Sequence, residues 1–201
     1  MVKVGLVMLQ GARHAHLNAL RSAAEDIGVN LEVGELRTPE DLASFEPDAM
    51  VLPGGESTTM RLTGGADGNG LLPAVFDWCR ANPDSPTIAI CAGVILLADP
   101  QDGGEPLIDA IVDRNAYGRQ IDSFQAAIEL SADFDGNFPG IFIRAPRFES
   151  IGENIEIVAS HQDEVVGIRC GATIALTFHP ELSDDNRFHQ WLLRACAAEE
   201  A

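Results

Sequence analysis

Hydrophobic positions in the first half of the chain follow two alternating spacings. Short apolar, β-branched runs bounded by polar or turn-forming residues predict four strands, at Val4–Leu9, Leu31–Leu36, Ala49–Leu52 and Thr87–Ile90. Apolar residues three or four positions apart predict helices between and after them, at His14–Ile27, Asp41–Phe45, Leu71–Ala81 and Ala92–Ala98. A glycine-rich surface loop is predicted at Gly64–Gly70. This alternation indicates a parallel sheet covered by helices.

The second half of the chain contains strand-like segments with short connections and one closing helix. The strands are predicted at Ile108–Val112, Ala126–Leu130, Gly140–Arg144, Ile155–Ser160, Glu164–Cys170 and Thr173–Phe178. The helix is predicted at Asp185–Ala198. This order predicts an α/β fold whose mostly parallel sheet carries an antiparallel extension. Because no repeat, low-complexity segment or linker interrupts the chain, we predict that residues 1–201 form a single domain.

Length and composition are those of an ordinary globular protein. The chain has 201 residues, of which 46% are hydrophobic, and this excludes a disordered chain. The longest uncharged apolar stretch, Ser85–Ala98, has 14 residues, fewer than the ~18–20 that span a bilayer. The N-terminal sequence MVKVGLVMLQG resembles a buried strand and lacks the features of a signal peptide. We therefore expect a cytoplasmic protein that does not enter a membrane.

The net charge is the property in which this chain differs most from ordinary globular proteins. Thirteen basic against 31 acidic residues give a net charge of −18, and Lys3 is the only lysine. So negative a field repels phosphate backbones, and we expect no nucleic-acid partner. The near-absence of lysine beside the acid excess favours a halophilic protein, since a Debye length of ~3 Å at 1 M salt screens self-repulsion. An ordinary acidic enzyme is the alternative interpretation.

The sequence TIAICAGV at positions 87–94 places a cysteine between an apolar strand and a predicted helix. A tight strand-to-helix turn presents such a residue at the carboxyl edge of the sheet, and small neighbours leave room for the turn. The helix N-terminus favours a thiolate at Cys91, although a small core cysteine is the alternative. Neither a disulfide framework nor a zinc site is expected, because no C-x-x-C pair occurs among Cys79, Cys91, Cys170 and Cys196.

A candidate base follows the last predicted strand. His179 comes directly after Phe178, Pro180 stiffens the turn, and Glu181 can reach back to one ring nitrogen of the histidine. A thiolate nucleophile needs a base and the base needs an orienting acceptor, so these residues complete a candidate triad with Cys91. Alone, the His-x-Glu pattern is equally typical of a surface loop. Four further histidines are predicted to lie on the surface or on helix faces: His14, His16, His161 and His189.

The sequence PGGEST at positions 53–58 follows another buried strand. Its two glycines let the backbone approach a ligand and present N–H groups to it, as an oxyanion hole requires. The sequence lacks the lysine of a G-x-x-x-x-G-K-[ST] phosphate loop, and no G-x-G-x-x-G indicates a dinucleotide site. The alternative is a tight turn in which Ser57 caps a helix.

These segments, in this order, resemble the class I, triad-type glutamine amidotransferases. Further motifs closely resemble the glutaminase subunits of pyridoxal 5'-phosphate synthase, and the similarity extends from the first strand to the last helix. The motifs are LQG at 9–11, PGGEST at 53–58, CAG at 91–93, RNAYGRQ at 114–120, IRAP at 143–146 and HPEL at 179–182. RNAYGRQ and IRAP are the most specific, because the triad is common to all such amidotransferases.

The resemblance implies a three-layer α/β fold and hydrolysis of L-glutamine to glutamate and ammonia, without a metal or cofactor. Cys91 would form a glutamyl thioester, His179 would transfer protons and Glu181 would orient His179. The implied partner is the synthase (lyase) subunit, which would receive the ammonia in a heteromeric complex. The glutaminase would be weakly active until this subunit docks.

The resemblance also implies which residues hold glutamine. The implied binding residues are Gly55, Glu56, Ser57, Arg114, Ile143 and Arg144. An arginine fork suits the substrate carboxylate, although both arginines could instead pair with structural acids. The oxyanion hole would comprise Gly55 and Ala92, with Gln10 contributing once the partner docks.

Two alternatives remain open from the sequence. Another cysteine hydrolase or amidotransferase, such as the glutaminase of imidazole glycerol phosphate synthase, would share the sheet and the triad. RNAYGRQ and IRAP argue against it. A non-catalytic binding module would keep the fold, but the retained cysteine, histidine and glutamate argue against that interpretation.

Overall fold

The structure is a computed structural model that describes residues 1–114 and 123–199. The strands in these ranges are β1 Val2–Val7, β2 Leu31–Leu36, β3 Ala49–Leu52, β4 Thr87–Ile90, β5 Ala110–Asp113, β6 Phe124–Leu130, β7 Asn137–Phe142, β8 Arg147–Ile151, β9 Glu156–His161, β10 Glu164–Cys170 and β11 Thr173–Leu176. The helices are α1 Arg13–Ile27, α2 Pro39–Phe45, α3 Ser57–Gly64, α4 Leu71–Ala81, α5 Ala92–Ala98 and α6 Arg187–Glu199, with a 3₁₀ helix at Pro180–Leu182. None of these helices has the length and apolar character needed to cross a membrane.

Nine of the described strands form one sheet, in the order β2-β1-β3-β4-β11-β10-β9-β6-β7. The first five strands are mutually parallel. From β11 onward every pair is antiparallel. β5 and β8 form a separate antiparallel ribbon. The predicted mostly parallel sheet with an antiparallel extension is confirmed.

Hydrophobic side chains cover both faces of this sheet. On one face, α1 and α6 contribute Leu20 and Leu192 to a cluster that includes the strand residue Leu6 and a group of phenylalanines. On the other face, helices α2 to α5 pack residues such as Phe76 and Val94 against the sheet. Helices on both faces of a sheet make three layers, in agreement with the predicted fold class.

Several predicted boundaries are reproduced, and the misplaced ones have local causes. β1 begins at Val2 and ends at Val7, two residues earlier at each end than predicted, because its register with β2 starts at the pair Val2 and Leu31. β11 ends at Leu176, and Phe178 lies beyond it. β7 covers Asn137–Phe142 instead of Gly140–Arg144. Its Pro139 hid the start of the strand, since proline is tolerated only at sheet edges, where β7 lies.

Three of the described elements were not predicted: the 3₁₀ helix, α3 and β8. The helix α3 has serine or threonine at half of its positions, and these residues have modest helix propensity. It begins because the Glu56 carboxylate accepts hydrogen bonds from the N–H groups of Thr58 and Thr59, so Glu56 and not Ser57 is the cap. It also includes Gly64, the first residue of the predicted loop. The strand β8 was missed because its pairing with β5 depends on a distant segment.

Candidate active site

Three neighbouring parallel strands bring the candidate residues to one edge of the sheet. β3, β4 and β11 lie side by side, with Leu52 paired to Ala89 and Ile90 paired to Leu176. Their carboxyl ends therefore coincide, and the residues that follow them are close in space. Gly54 follows β3, Cys91 follows β4 and His179 follows β11. Ligand sites of open α/β sheets lie at this edge.

Cys91 occupies a strained turn between β4 and α5. Its backbone has φ 49° and ψ −104°, a left-handed conformation that non-glycine residues rarely adopt. The Cys91 N–H donates to the Leu176 carbonyl at 2.8 Å, which anchors the turn to β11. Gly93 is required beside it, because a Cβ there would lie 2.5 Å from the Leu52 carbonyl oxygen. The thiol faces the Ile143 carbonyl, with Sγ at 3.9 Å.

His179 and Glu181 form a buried pair next to this thiol. The His179 Nδ1 lies 2.8 Å from Oε1 of Glu181, and the other ring nitrogen is left for the hydrogen bond with Cys91. Burial opposes charge on the ring, but the hydrogen bonds to Cys91 and Glu181 prevail and raise the pKa of His179 to about 10. Burial likewise opposes ionisation of Glu181, yet its bond to His179 and the nearby imidazoles hold its pKa below the ordinary value. An imidazolium beside a sulfur is the environment in which cysteine nucleophiles react.

Gly54 leaves no room for a side chain next to His179 and Cys91. A Cβ built on Gly54 would be 2.5 Å from Cε1 of His179 and 3.4 Å from Cβ of Cys91. Real Cβ atoms do not approach another atom to 2.5 Å, so only glycine fits while His179 keeps its place. The glycine predicted to allow close approach of a ligand thus also makes room for the histidine.

A cavity of about 720 Å³ opens beside these side chains. It is lined by the candidate triad and by every predicted glutamine-binding residue: Gly55, Glu56, Ser57, Arg114, Ile143 and Arg144. Gln10 also lines it. Ala92 does not; it is buried at the first position of α5, directly after Cys91. A cavity of this size fits a small-molecule substrate.

Gln10 holds the loop after β3 in place. Its Oε1 accepts a hydrogen bond from the Glu56 N–H at 2.7 Å. Gly55 lies against the same side chain, since a Cβ there would be 2.7 Å from Oε1, and its φ of 156° favours glycine. The Gln10 carbonyl oxygen is therefore committed to the backbone of the candidate oxyanion loop.

The charged lining residues differ in how firmly they are held. Glu56 accepts hydrogen bonds from Thr58 and Thr59, chiefly from the Thr59 hydroxyl, and these bonds lower its pKa to about 2. Arg114 donates to the Thr58 hydroxyl at 2.6 Å and lies 3.6 Å from Oε1 of Glu56. Arg144 is exposed, adopts φ 44°, and has no carboxylate partner among residues 1–114 and 123–199. Arg144 lines the cavity, and no carboxylate of the described residues neutralises its charge.

Comparison with known proteins identifies the family. Residues 6–198 match the SNO glutamine amidotransferase family. This chain belongs to the SNO glutamine amidotransferase family. The resemblance stated from the sequence motifs is confirmed.

Relatives of this SNO family chain carry the name pyridoxal 5'-phosphate synthase subunit PdxT. The relative from Thermococcus onnurineus is 45% identical over 202 residues, covering 96% of this chain and 98% of its own. The relative from Streptomyces griseus is 42% identical, covering 92% of this chain and 91% of its own. The relative from Methanothermobacter thermautotrophicus is 36% identical and covers 96% of each chain.

Solved structures agree with the fold of this SNO family member. A crystal structure described as a glutamine amidotransferase is 34% identical, with a TM-score of 0.76, and the match covers 96% of this chain and 98% of that one. The structure of PurLQS from Thermotoga maritima has a TM-score of 0.62 at 14% identity, covering 100% of this chain and 99% of that one. The second similarity concerns the fold alone.

Two histidines of this SNO family chain lie elsewhere than expected. His16 and His189 belong to helices, as one prediction allowed, but neither is on the surface: their exposed fractions are 1% and 0%. Nε2 of His16 lies 3.5 Å from Oε1 of Glu181. Amphipathic spacing does not distinguish a buried histidine from an exposed one, so the burial of His16 and His189 could not be predicted. Within the RNAYGRQ motif, positions 115–120 lie outside the described residues, which end on that side at Arg114.

Proposed function

We propose that this chain is the glutaminase subunit of pyridoxal 5'-phosphate synthase. It hydrolyses L-glutamine to L-glutamate and ammonia and delivers the ammonia to the synthase subunit of a heteromeric complex. The observation that carries the proposal is the placement of Cys91, His179 and Glu181 at adjacent strand ends beside a cavity of about 720 Å³. The PdxT relatives, similar over almost their whole length, support this choice of synthase over another amidotransferase.

In the proposed reaction, Cys91, His179 and Glu181 each have one chemical role. The Cys91 sulfur attacks the side-chain amide carbon of glutamine and forms a tetrahedral intermediate. His179 gives its proton to the leaving nitrogen, the C–N bond breaks, ammonia departs, and a glutamyl thioester remains. Water then attacks the thioester while His179 accepts its proton, and glutamate leaves as the sulfur is released. Glu181 keeps the His179 Nδ1 proton in place throughout.

Backbone N–H groups would stabilise the intermediate's oxyanion. We assign this role to Gly55 and Ala92, since Ala92 opens α5, where N–H groups have no partner inside the helix. Gln10 supports the same loop through its bond to the Glu56 N–H. In this proposal, docking of the synthase subunit brings Gln10 into the oxyanion hole, so the isolated glutaminase is expected to be weakly active.

Recognition of free glutamine requires partners for its carboxylate and its ammonium group. Arg144 offers an unneutralised guanidinium at the cavity, and guanidinium forks pair well with carboxylates. Glu56 offers a carboxylate that stays ionised, because hydrogen bonds keep its pKa at about 2. Arg114, Ser57 and Ile143 complete the lining on either side. The arrangement suits a small zwitterion with an amide side chain.

Replacing Arg144 with alanine is expected to raise KM for glutamine about 10-fold, since a charged hydrogen bond at an exposed site contributes near the lower end of its range. Steady-state glutaminase kinetics at a saturating concentration of the synthase subunit will measure this. Arg147→Ala is the matched control, because Arg147 pairs with Glu164 away from the cavity. An unchanged kcat/KM in Arg144→Ala would remove Arg144 from the binding site.

The direct test of the proposal is a glutaminase assay with and without the matching synthase subunit, in molar salt. Glutamate release that increases when the subunit is added supports both the activity and the partner. Hydrolysis of other amides in preference to glutamine would favour a different cysteine hydrolase. Failure of a glutamine-analogue electrophile to label Cys91 would favour a non-catalytic module.

The proposal also covers the cellular compartment of the protein and the salt concentration in that compartment. A cysteine nucleophile must stay reduced, and all four cysteines are free thiols, as a reducing cytoplasm maintains them. We further propose that the net charge of −18 reflects a cytoplasm of high salt.

Molar KCl is expected to raise the melting temperature relative to low salt, by about 2–4 °C for each kcal/mol of self-repulsion that is screened. Differential scanning calorimetry across KCl concentrations measures the change. Sucrose is the control, because it stabilises by exclusion from the surface without screening charge. A melting temperature that stays flat or falls with KCl contradicts the halophilic interpretation.

A further inference from the structure

Two buried imidazoles lie behind the carboxylate of the proposed triad. α1 packs against both α6 and the 3₁₀ helix that carries Glu181. His16 of α1 and His189 of α6 are 1% and 0% exposed. The carboxylate of Glu181 is itself 1% exposed and lies between the imidazole of His179 on one side and that of His16 on the other. The mechanism described above uses neither His16 nor His189.

These groups have unused hydrogen-bonding capacity. Within the described part of the chain, both ring nitrogens of His16, both of His189 and Oε2 of Glu181 have no hydrogen-bond partner. A leucine at position 16 or 189 would fill the same core without unpaired polar atoms. Retaining two imidazoles in a site that disfavours them therefore calls for a role that an apolar residue cannot perform.

Electrostatics determine which nitrogen of His16 carries the proton. Burial lowers the pKa of His16, and it lowers that of His189 to about 4, so both rings are neutral near pH 7. A neutral ring has one N–H and one lone pair. Nε2 of His16 lies 3.5 Å from Oε1 of Glu181. A lone pair on Nε2 would face an anionic oxygen and be repelled, whereas an N–H would be attracted, so the proton belongs on Nε2.

We propose that His16 is a positioning residue for glutamine hydrolysis, whose Nε2–H holds the Glu181 carboxylate in the orientation that His179 requires. Oε1 then faces two N–H groups, that of His179 Nδ1 at 2.8 Å and that of His16 Nε2 at 3.5 Å. A carboxylate held from both sides cannot rotate away as His179 takes and returns protons. The inference rests on the proposed function, and it makes α1, which begins beside the cavity-lining Ala12, part of the support of the triad.

His189 supplies the matched comparison. It is as deeply buried as His16 and belongs to α6, which packs against α1, but the described residues show no ion pair between His189 and Glu181. Of His16 and His189, only His16 has a ring nitrogen within 4 Å of the Glu181 carboxylate. Loss of packing is therefore expected to be similar at the two positions, and loss of positioning is expected at His16 alone.

The kinetic test compares His16→Leu, His16→Gln and His189→Leu in complex with the synthase subunit. By analogy with groups that orient metal-bound histidines, His16→Leu is expected to lower kcat about 10- to 100-fold while KM for glutamine changes little. His16→Gln is expected to recover most of that loss, because its amide nitrogen can donate from nearly the same place. His189→Leu is expected to keep kcat. Equal losses in both leucine variants, or no recovery in His16→Gln, would overturn the proposal and leave a structural role.

A second measurement does not depend on turnover. Nitrogen NMR of the ¹⁵N-histidine-labelled protein at pH 7 reports the tautomer of each ring, and a neutral His16 protonated at Nε2 is expected. A proton on Nδ1, or a charged ring, would overturn the assignment. If wild-type protein with the synthase subunit hydrolyses no glutamine, the proposed function fails, and this spectrum still decides whether His16 faces Glu181 as a donor.

Discussion

Replacing Cys91 with alanine is expected to reduce glutamine hydrolysis by about 10⁴-fold or more, because no other group can form the thioester. The fold should persist. Alanine keeps the Cβ and the small side chain that the strand-to-helix turn requires. Glutamate release at saturating synthase subunit measures the loss, and the melting temperature measures retention of the fold.

Cys79→Ala serves as the control for removing a thiol. Burial raises the pKa of Cys79 to about 12, so this thiol stays protonated and unreactive at neutral pH. Its replacement is expected to alter packing at most and to leave kcat unchanged. Wild-type activity in Cys91→Ala would refute the assignment of the nucleophile.

Gly54→Ala is expected to lower kcat by about 10²–10⁴-fold, the range that a general acid–base contributes, without changing any reacting group. The added Cβ would lie 2.5 Å from Cε1 of His179, so the ring has to move. His179 is held by its 2.8 Å bond to Glu181, and moving the ring weakens either that bond or the contact with Cys91. The backbone of Gly54 is not in the left-handed region, so the effect is steric.

Gly5→Ala is the matched control for crowding. A Cβ at Gly5 would lie 2.8 Å from Cδ1 of Leu36, in the core away from the cavity. Gly5→Ala should reduce the free energy of unfolding and leave kcat intact. Gly54→Ala should instead lower kcat and leave the free energy of unfolding largely intact. Both are checked by denaturant unfolding and by steady-state kinetics. If the two variants lose activity in proportion to stability, the close approach of Gly54 to His179 has no catalytic meaning.

Much of the candidate site could be predicted because its signals are local. The turn at Cys91 requires small neighbours, and the sequence CAG supplies them directly after a run of β-branched and apolar residues. His179 follows another such run, and strand–helix alternation indicates parallel strands. Parallel strands end at a shared edge, so residues distant in sequence were expected to lie together. The structure places Cys91 and His179 there, after the ends of β4 and β11.

The remainder depends on packing that local sequence does not encode. Ser57 belongs to a preferred type of helix cap and Glu56 does not, yet the Glu56 carboxylate is the group that reaches the Thr58 and Thr59 N–H groups. Arg144 adopts a left-handed backbone two residues after β7 ends, a conformation that non-glycine residues rarely adopt and that the sequence does not signal. His16 occupies a helical position that looks like any other polar one, and it becomes buried only because α6 and the 3₁₀ helix cover it.

The strand order has a consequence for the protein while it is being made. β4 lies between β3 and β11, but β11 and the proposed partners of the Cys91 thiol, His179 and Glu181, come more than 80 residues after Cys91 in the chain. During synthesis, Cys91 therefore leaves the ribosome before His179 has been added to the chain. Until the segment that carries His179 has been synthesised and β11 has joined the sheet, the proposed catalytic centre is incomplete.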